Sequence, residues 1–340
     1  MRSLASLILY VTALFVLPPN CVCLDDEFPS VEESFNYLQL SALIYELKRG
    51  TTDLDHLPGD LVLHLYEDRP VNDCAMVVSS ESSKFIAAVF SGSDTANDFL
   101  HDLEVKFSTF GPTDDPINED VLVHKGFNNA MFNYGNNTDN LFDRVKESID
   151  SFFDDNEIED YDVVATGHSL GAATSQLMAV GLAEAWSHEE NDSRRSKKVS
   201  SINFASPLVG DISFKTWVET SEEMNLAVWR HVLENDIIPR VPFEEWGYLH
   251  SGHTIWFKEE GCSSYYMHYG DESLGYVGVP SDFYERPFSI EIHFSNNYVD
   301  YMLTKSLIDP DKYYSDSFET DASFRLRGHR EYERDTIKIK

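Results

Sequence analysis

The tightest constraint on this 340-residue chain is the pentapeptide Gly167-His168-Ser169-Leu170-Gly171. It follows a short β-rich run, residues 162–166, and precedes residues 172–186, a helical stretch with many small side chains. A strand that turns at once into a helix must hold Ser169 in a strained backbone conformation, and the flanking glycines remove Cβ atoms that would clash. The turn lifts the Ser169 hydroxyl above the sheet and sets it over a helix N-terminus, whose free N–H groups carry partial positive charge. The N–H of Leu170 then stands ready to donate to a developing oxyanion. A Gly-x-Ser-x-Gly string arises by chance; the strand before it and the helix after it make it a candidate nucleophile elbow.

The rest of the chain must supply a sheet for that turn. Phe35, Leu38, Ala42 and Tyr45 recur at helical spacing, and Gly50 ends that helix. Residues 74–78 and 84–90 read as two strands around the polar turn 79–83. Leu141, Val145, Ile149, Phe152 and Phe153 mark a second helix. Residues 199–205 and 226–232 read as strands, with a helix over 214–218 between them. Strands alternating with helices predict an α/β fold: a mostly parallel central sheet covered by helices on both faces. No internal repeat or Pro/Gly-rich linker divides the chain, so residues 24–310 read as a single domain, and 311–340 as a charged C-terminal tail.

Composition narrows the partners. With 26 Lys+Arg against 59 Asp+Glu, the formal charge is −33, a surface that repels phosphate backbones and argues against nucleic acid. Arg2, the apolar run 4–17 and the helix-breaking Pro18-Pro19-Asn20 read as a signal peptide over 1–23. The apolar run is shorter than the about 20 residues that span a bilayer, which argues for export rather than a membrane anchor. After cleavage at Cys23 only Cys74 and Cys262 remain, and an oxidising compartment would allow them to pair. No Cys/His spacing suggests zinc. Asn136 and Asn191 begin N-glycosylation acceptors in polar stretches.

A serine hydroxyl needs a histidine base, and the base needs an acid to orient it, following the nucleophile in the order Ser, acid, His. Asp236 stands in Glu234-Asn235-Asp236-Ile237-Ile238-Pro239-Arg240, after a predicted strand and at the start of a proline-rigid loop. Five histidines follow it: His250, His253, His268, His293 and His329. Spacing alone does not choose among them.

Five segments together resemble the class 3, fungal-type triacylglycerol lipases. Val89-Phe90-Ser91-Gly92-Ser93 is similar to the family's oxyanion loop, with Ser91 where an arginine is usual. Val123-His124-Lys125-Gly126-Phe127, the elbow, Asn235-Asp236-Ile237-Ile238-Pro239-Arg240, and Tyr248-Leu249-His250-Ser251-Gly252 ahead of Trp256 complete the set in the family's order. The resemblance runs over about residues 33–307 and implies an α/β-hydrolase fold. It implies Ser169 as nucleophile, Asp236 as acid and His293 as base near Tyr298, with His250 ranked second. Ser93 and Leu170 would be the oxyanion donors. It also implies a short helical lid over 95–103, where Phe99, Leu100 and Leu103 share a helical face. The expected activity is cleavage of acylglycerol esters at an oil–water interface by a secreted serine hydrolase, with no cofactor and no metal. A phospholipase, an aromatic-ester (feruloyl-type) esterase and an inactive secreted lipid-binding protein are the alternatives. Retention in the secretory pathway or a vacuole is the alternative to release.

Overall fold

A computed structural model describes residues 29–68, 74–93, 105–132, 140–156, 160–188, 193–257, 265–268 and 288–304. Helix α1, Val31–Lys48, is followed by strands β1 (Leu61–Asp68), β2 (Cys74–Ser80) and β3 (Phe85–Phe90). A hairpin, β4 (Phe107–Phe110) and β5 (Asn118–His124), leads into helices α2 (Lys125–Phe132) and α3 (Leu141–Asn156). Strand β6 (Asp162–His168), helix α4 (Leu170–Ser187), strand β7 (Val199–Phe204), helix α5 (Ile212–Thr220) and strand β8 (Leu226–Leu233) alternate through the centre. Strands β9 (His253–Phe257) and β10 (Tyr265–His268) and helix α6 (Ser295–Thr304) complete the described elements.

Eight strands form one sheet in the order β1-β2-β3-β6-β7-β8-β9-β10. The five central strands β3, β6, β7, β8 and β9 run parallel, while β1–β2, β2–β3 and β9–β10 pair antiparallel. The expected α/β arrangement is therefore present, with antiparallel margins. Alternation sorts the central side chains between two helical layers. Ala75, Val77, Ile86, Ala88, Phe90, Val163 and Ala165 enter the core shared with Phe132, Val145, Ala173 and Leu177 of α2, α3 and α4. The intervening Thr166 faces α1 instead, and its hydroxyl lies 3.1 Å from that of Ser41. Both faces of these strands are thus buried, which is why residues 74–78 of β2 and all of β3 are continuous apolar runs.

Local chemistry sets several element ends. Asp211 caps α5 by accepting from the N–H groups of Ser213 and Phe214. His124 does the same for α2, its Nδ1 accepting from the Gly126 N–H at 3.1 Å. Helix α1 ends at Lys48, just before Gly50 adopts φ 67°. The turn from β6 to α4 is the most crowded. A Cβ on Gly167 would lie 2.3 Å from the Gly171 carbonyl oxygen, and one on Gly171 would lie 2.2 Å from the Phe90 oxygen. Strand β3 and helix α4 therefore touch backbone to backbone.

Cys74 stands at the start of β2 as a free, buried thiol rather than half of a bridge, and burial pushes it up to about 11. Cys262, the leader segment 1–23, the lid segment 95–103, Asn136, Asn191 and the tail 311–340 lie outside the described residues. Among the described residues no helix is long and apolar enough to cross a membrane.

The backbone contact at Gly171 makes Gly171→Ala severe: we expect a loss of about 3 kcal/mol or more, read as a lowered denaturant midpoint. A midpoint equal to that of the unaltered chain would contradict the close approach. Buried histidines make a second prediction. Burial lowers His168 to about 3 and His231 to about 4, and with the Arg230 charge it holds His250 well below its usual range. Below about pH 6.5 the unfolded chain binds protons that these rings refuse when folded. Their stabilisation is complete above that pH and is lost as pH falls toward the folded values, by up to about 1.4 kcal/mol per unit for each ring. Urea midpoints at pH 7.5 and 5.5, where exposed carboxylates stay ionised, should fall on acidification; an unchanged or rising midpoint would refute the assignment.

Candidate active site

Ser169 closes the β6–α4 turn with φ 61° and ψ −127°, a left-handed conformation rare for a residue with a side chain. The strain, of order 1–3 kcal/mol, persists because the surroundings over-determine it. The Ser169 N–H donates to the Phe204 carbonyl at 3.0 Å, and its own carbonyl accepts from Ala172 at 3.0 Å. Leu170 begins the 18-residue α4, so its N–H has no acceptor within that helix.

His293 sits in a short 3-10 turn just before α6. Its Nε2 is 2.9 Å from Ser169 Oγ, and its Nδ1 is 3.1 and 3.0 Å from the two carboxylate oxygens of Asp236. Serine, imidazole and carboxylate thus form one unbroken hydrogen-bonded line, with all three side chains buried. Of the five histidines left open by spacing, His293 is the one against the Ser169 hydroxyl. His250 is occupied elsewhere: its Nε2 meets the Pro239 carbonyl at 2.7 Å. His253 opens β9 with its ring stacked on Trp229, at 4.6 Å between centroids. The side chain of His268 and all of His329 lie outside the described residues.

Backbone pairing delivers His293 across 57 residues of chain. Asp236 and Ser289 form a parallel bridge, with Ile237 N–H on the Ser289 oxygen at 3.2 Å and Ser289 N–H on the Asn235 oxygen at 2.9 Å. The acid loop and the base segment are therefore stitched together just before each presents its side chain. Arg240 stiffens the acid loop from within: its guanidinium donates to the carbonyls of Asp236 and, at 2.8 Å, Glu234.

The carboxyl of Asp236 is fully buried, and burial alone would raise it. The adjoining His293, the Ile238 N–H at 3.0 Å and the Tyr298 hydroxyl at 2.8 Å outweigh that penalty and hold it below its ordinary value. Burial and the Asp236 charge raise Tyr298 well above the usual range, so its phenol stays protonated and donates; its oxygen in turn accepts the Leu233 N–H at 3.0 Å. Asp236 is thereby an ionised acceptor facing the Nδ1–H of His293, which leaves Nε2 free to accept a proton from the serine.

On the other side of Ser169 lies the end of β3. Ser91 anchors it: its N–H donates to the Cys74 carbonyl at 2.8 Å, and its hydroxyl accepts the Cys74 N–H at 3.2 Å. The serine that replaces the family's arginine thus fixes the loop to β2 by two bonds. Gly92 comes next, so close to the nucleophile that a Cβ there would stand 3.1 Å from Ser169 Cβ. Half-buried Ser93 follows by one peptide.

Two participants carried no legible sequence signal. Tyr45 reads only as an apolar position on α1, yet its hydroxyl accepts the Gly92 N–H at 2.9 Å. His168 reads only as the variable residue of the elbow, yet its Nε2 lies 2.7 Å from the His293 carbonyl.

Comparison with known proteins agrees with this geometry. The family model for Lipase (class 3) matches residues 87–246. A lipase of Rhizomucor miehei is 32% identical over 185 residues, 54% of this chain and 45% of that protein. The chain spans less than half the length of this protein and of a similar lipase of Rhizopus niveus. Among solved structures, a triacylglycerol lipase with a serine-protease triad as its catalytic centre aligns at TM-score 0.53 and 28% identity, over 66% of this chain and 79% of that one. A fungal lipase–inhibitor complex, described as a model for interfacial activation, aligns at TM-score 0.62 and 25% identity, over 80% and 96%. The sheet order, the elbow and the motif order all agree with this likeness to the class 3 lipase family.

Proposed function

We propose that this chain is a carboxylic ester hydrolase that cleaves acylglycerols, with Ser169 as nucleophile, His293 as base and Asp236 as the acid that orients it. The observation that carries the reading is the buried line from Ser169 Oγ through the His293 ring to both oxygens of Asp236. The family match and the triad named for a related triacylglycerol lipase support it.

In this reading the Ser169 proton passes to His293 Nε2 as Oγ attacks the ester carbonyl carbon. The imidazolium so formed is stabilised by the Asp236 carboxylate, itself kept ionised by its hydrogen bonds. The carbonyl oxygen, now carrying the negative charge, is received by the N–H groups of Leu170 and Ser93, the first of them at the positive end of α4. His293 returns the proton to the departing alcohol, leaving an acyl group on Ser169. Water, deprotonated by the same ring, then releases the fatty acid and regenerates the serine.

The substrate is read as a neutral acylglycerol at an oil–water interface. The −33 surface supports a neutral lipid over an anionic one. Export from the cell and a lid over 95–103 belong to the same reading and rest on the leader-like segment 1–23 and on the apolar positions Phe99, Leu100 and Leu103.

Ser169→Ala should lower turnover of a soluble short-chain ester by at least roughly a thousandfold while leaving the denaturant midpoint near its original value. An organophosphonate should add to Ser169, seen as one mass increment on the peptide that contains it. Retained activity in the variant, or labelling elsewhere, would refute the assignment. With a lid, activity on a partly soluble triacylglycerol should rise abruptly once the substrate exceeds its solubility and forms droplets; a smooth saturation curve through that point would count against interfacial opening. Profiling triacylglycerol, phospholipid and phenolic esters side by side separates the three ester classes, and a preference for either of the last two would overturn the acylglycerol assignment.

A further inference from the structure

The two groups that must meet at Ser169, the oxyanion loop and the histidine base, come from segments about 200 residues apart in the chain. One pair of side chains touches both. The Tyr45 hydroxyl on α1 accepts the Gly92 N–H at 2.9 Å and lies 3.4 Å from His168 Nδ1 and 3.3 Å from the His168 carbonyl. The other nitrogen of His168, Nε2, reaches the backbone carbonyl of His293 at 2.7 Å. The two imidazoles lie 4.7 Å apart at their centroids, with their planes tilted by 31°.

We propose that Tyr45 and His168 are a positioning pair that holds the Gly92–Ser93 loop and His293 in register with the Ser169 hydroxyl. The proposal rests on the assignment of Ser169, His293 and the oxyanion donors made above.

Donor bookkeeping is consistent along the whole line. The carbonyl of His293 can only accept, so His168 Nε2 carries the proton. Its Nδ1 is then bare and shares the one Tyr45 O–H proton with the His168 carbonyl, at 3.4 and 3.3 Å, which leaves the phenolic oxygen to accept from Gly92. One tautomer of one neutral ring satisfies every member. A cationic His168 would break the Tyr45 link and set a charge against His293 at the moment that ring becomes an imidazolium. Burial keeps His168 neutral, lowering it to about 3.

The contact with Gly92 acts on geometry rather than on mere attachment. Gly92 has no room to shift toward its neighbours: a Cβ there would meet Tyr45 Oη at 2.2 Å, the His168 carbonyl at 2.7 Å and Ser169 Cβ at 3.1 Å. Fixing the Gly92 N–H fixes the peptide from which the Ser93 N–H projects. Small errors in such donors weigh on the transition state more than on substrate binding. Both ends of this link, Tyr45 and His293, lie outside the segment matched by the family model.

The test compares Tyr45→Phe, His168→Leu, His168→Gln and the Tyr45→Phe/His168→Leu double variant with the unaltered chain. A soluble p-nitrophenyl ester serves as substrate, with turnover counted per serine titrated by phosphonate. Tyr45→Phe and His168→Leu should each lower kcat by roughly ten- to a hundredfold with KM within about twofold. His168→Gln, which restores a donor toward the His293 carbonyl, should recover most of the loss. The double variant should be no worse than the poorer single one, because the pair acts as one unit. Undiminished kcat per titrated serine in Tyr45→Phe and His168→Leu would overturn the proposal while leaving the nucleophile assignment standing. Absence of phosphonate titration in the unaltered chain would overturn both. If the leucine variant does not fold, nitrogen NMR of the unaltered protein decides: the expected signal is a neutral His168 protonated at Nε2 at pH 6, and a cationic ring or the opposite tautomer overturns the pair.

Discussion

The structure depends on one backbone contact, that between the end of β3 and the first turn of α4. The Phe90 carbonyl and the Gly171 Cα approach so closely that no side chain fits between them. This closeness allows the chain to leave β6, reverse through Ser169 and enter a helix within one residue. It also brings the Gly92–Ser93 loop beside the serine hydroxyl. Strain at Ser169 and the proposed placement of the oxyanion donors are therefore two consequences of the same packing. The buried faces of β3 and β6, where side chains such as Ile86, Phe90 and Val163 each contribute about 1.5–3 kcal/mol, help to hold it.

Around this contact the protein buries several polar groups, and those nearest the serine are given partners. Asp236 is surrounded by an imidazole, a phenol and a backbone N–H; Arg240 is spent on two carbonyls; His231 bridges the Asn203 carbonyl at 3.2 Å and the Ser34 hydroxyl at 3.1 Å. Every one of these would be costly without its neighbour. The arrangement resolves a conflict built into the proposed chemistry. The acid must be buried to be shielded from water, yet it must stay ionised, so the hydrogen bonds to its oxygens have to exceed the burial penalty.

Much of the fold was legible in the sequence. The helices around Phe35, Leu141 and Ala172 and the strands at 74–78, 84–90, 162–166, 199–205 and 226–232 all occur, with ends shifted by a few residues. Their periodicity is strong because both sheet faces are covered. Strands β1 and β4, helix α2 and helix α6 were not legible. Strand β4 is four residues long, and α6 opens with polar Ser295, so neither offers a full period of apolar side chains. The possible Cys74–Cys262 pair fared differently: a chemically permitted bond says nothing about where a thiol sits, and Cys74 is free at the buried start of β2.

The sequence by itself determined the elbow, because the two glycines and the serine are consecutive and the need for missing Cβ atoms is a local rule. It also offered Asp236, four residues ahead of the arginine that clamps its loop, as a candidate acid, a role that the resemblance then implied. The order of the motifs was enough to name the family that the chain resembles. The proposed choice of His293 over four other histidines rests on a resemblance and on a three-dimensional contact, because its partner lies 124 residues away and no periodicity relates them. Only the tertiary structure decided the uses of Tyr45, His168 and Tyr298 as hydrogen-bond partners. Their burial looks the same in sequence as that of any aromatic residue in a core, and a hydroxyl or ring nitrogen acquires its role only when distant segments are folded against it.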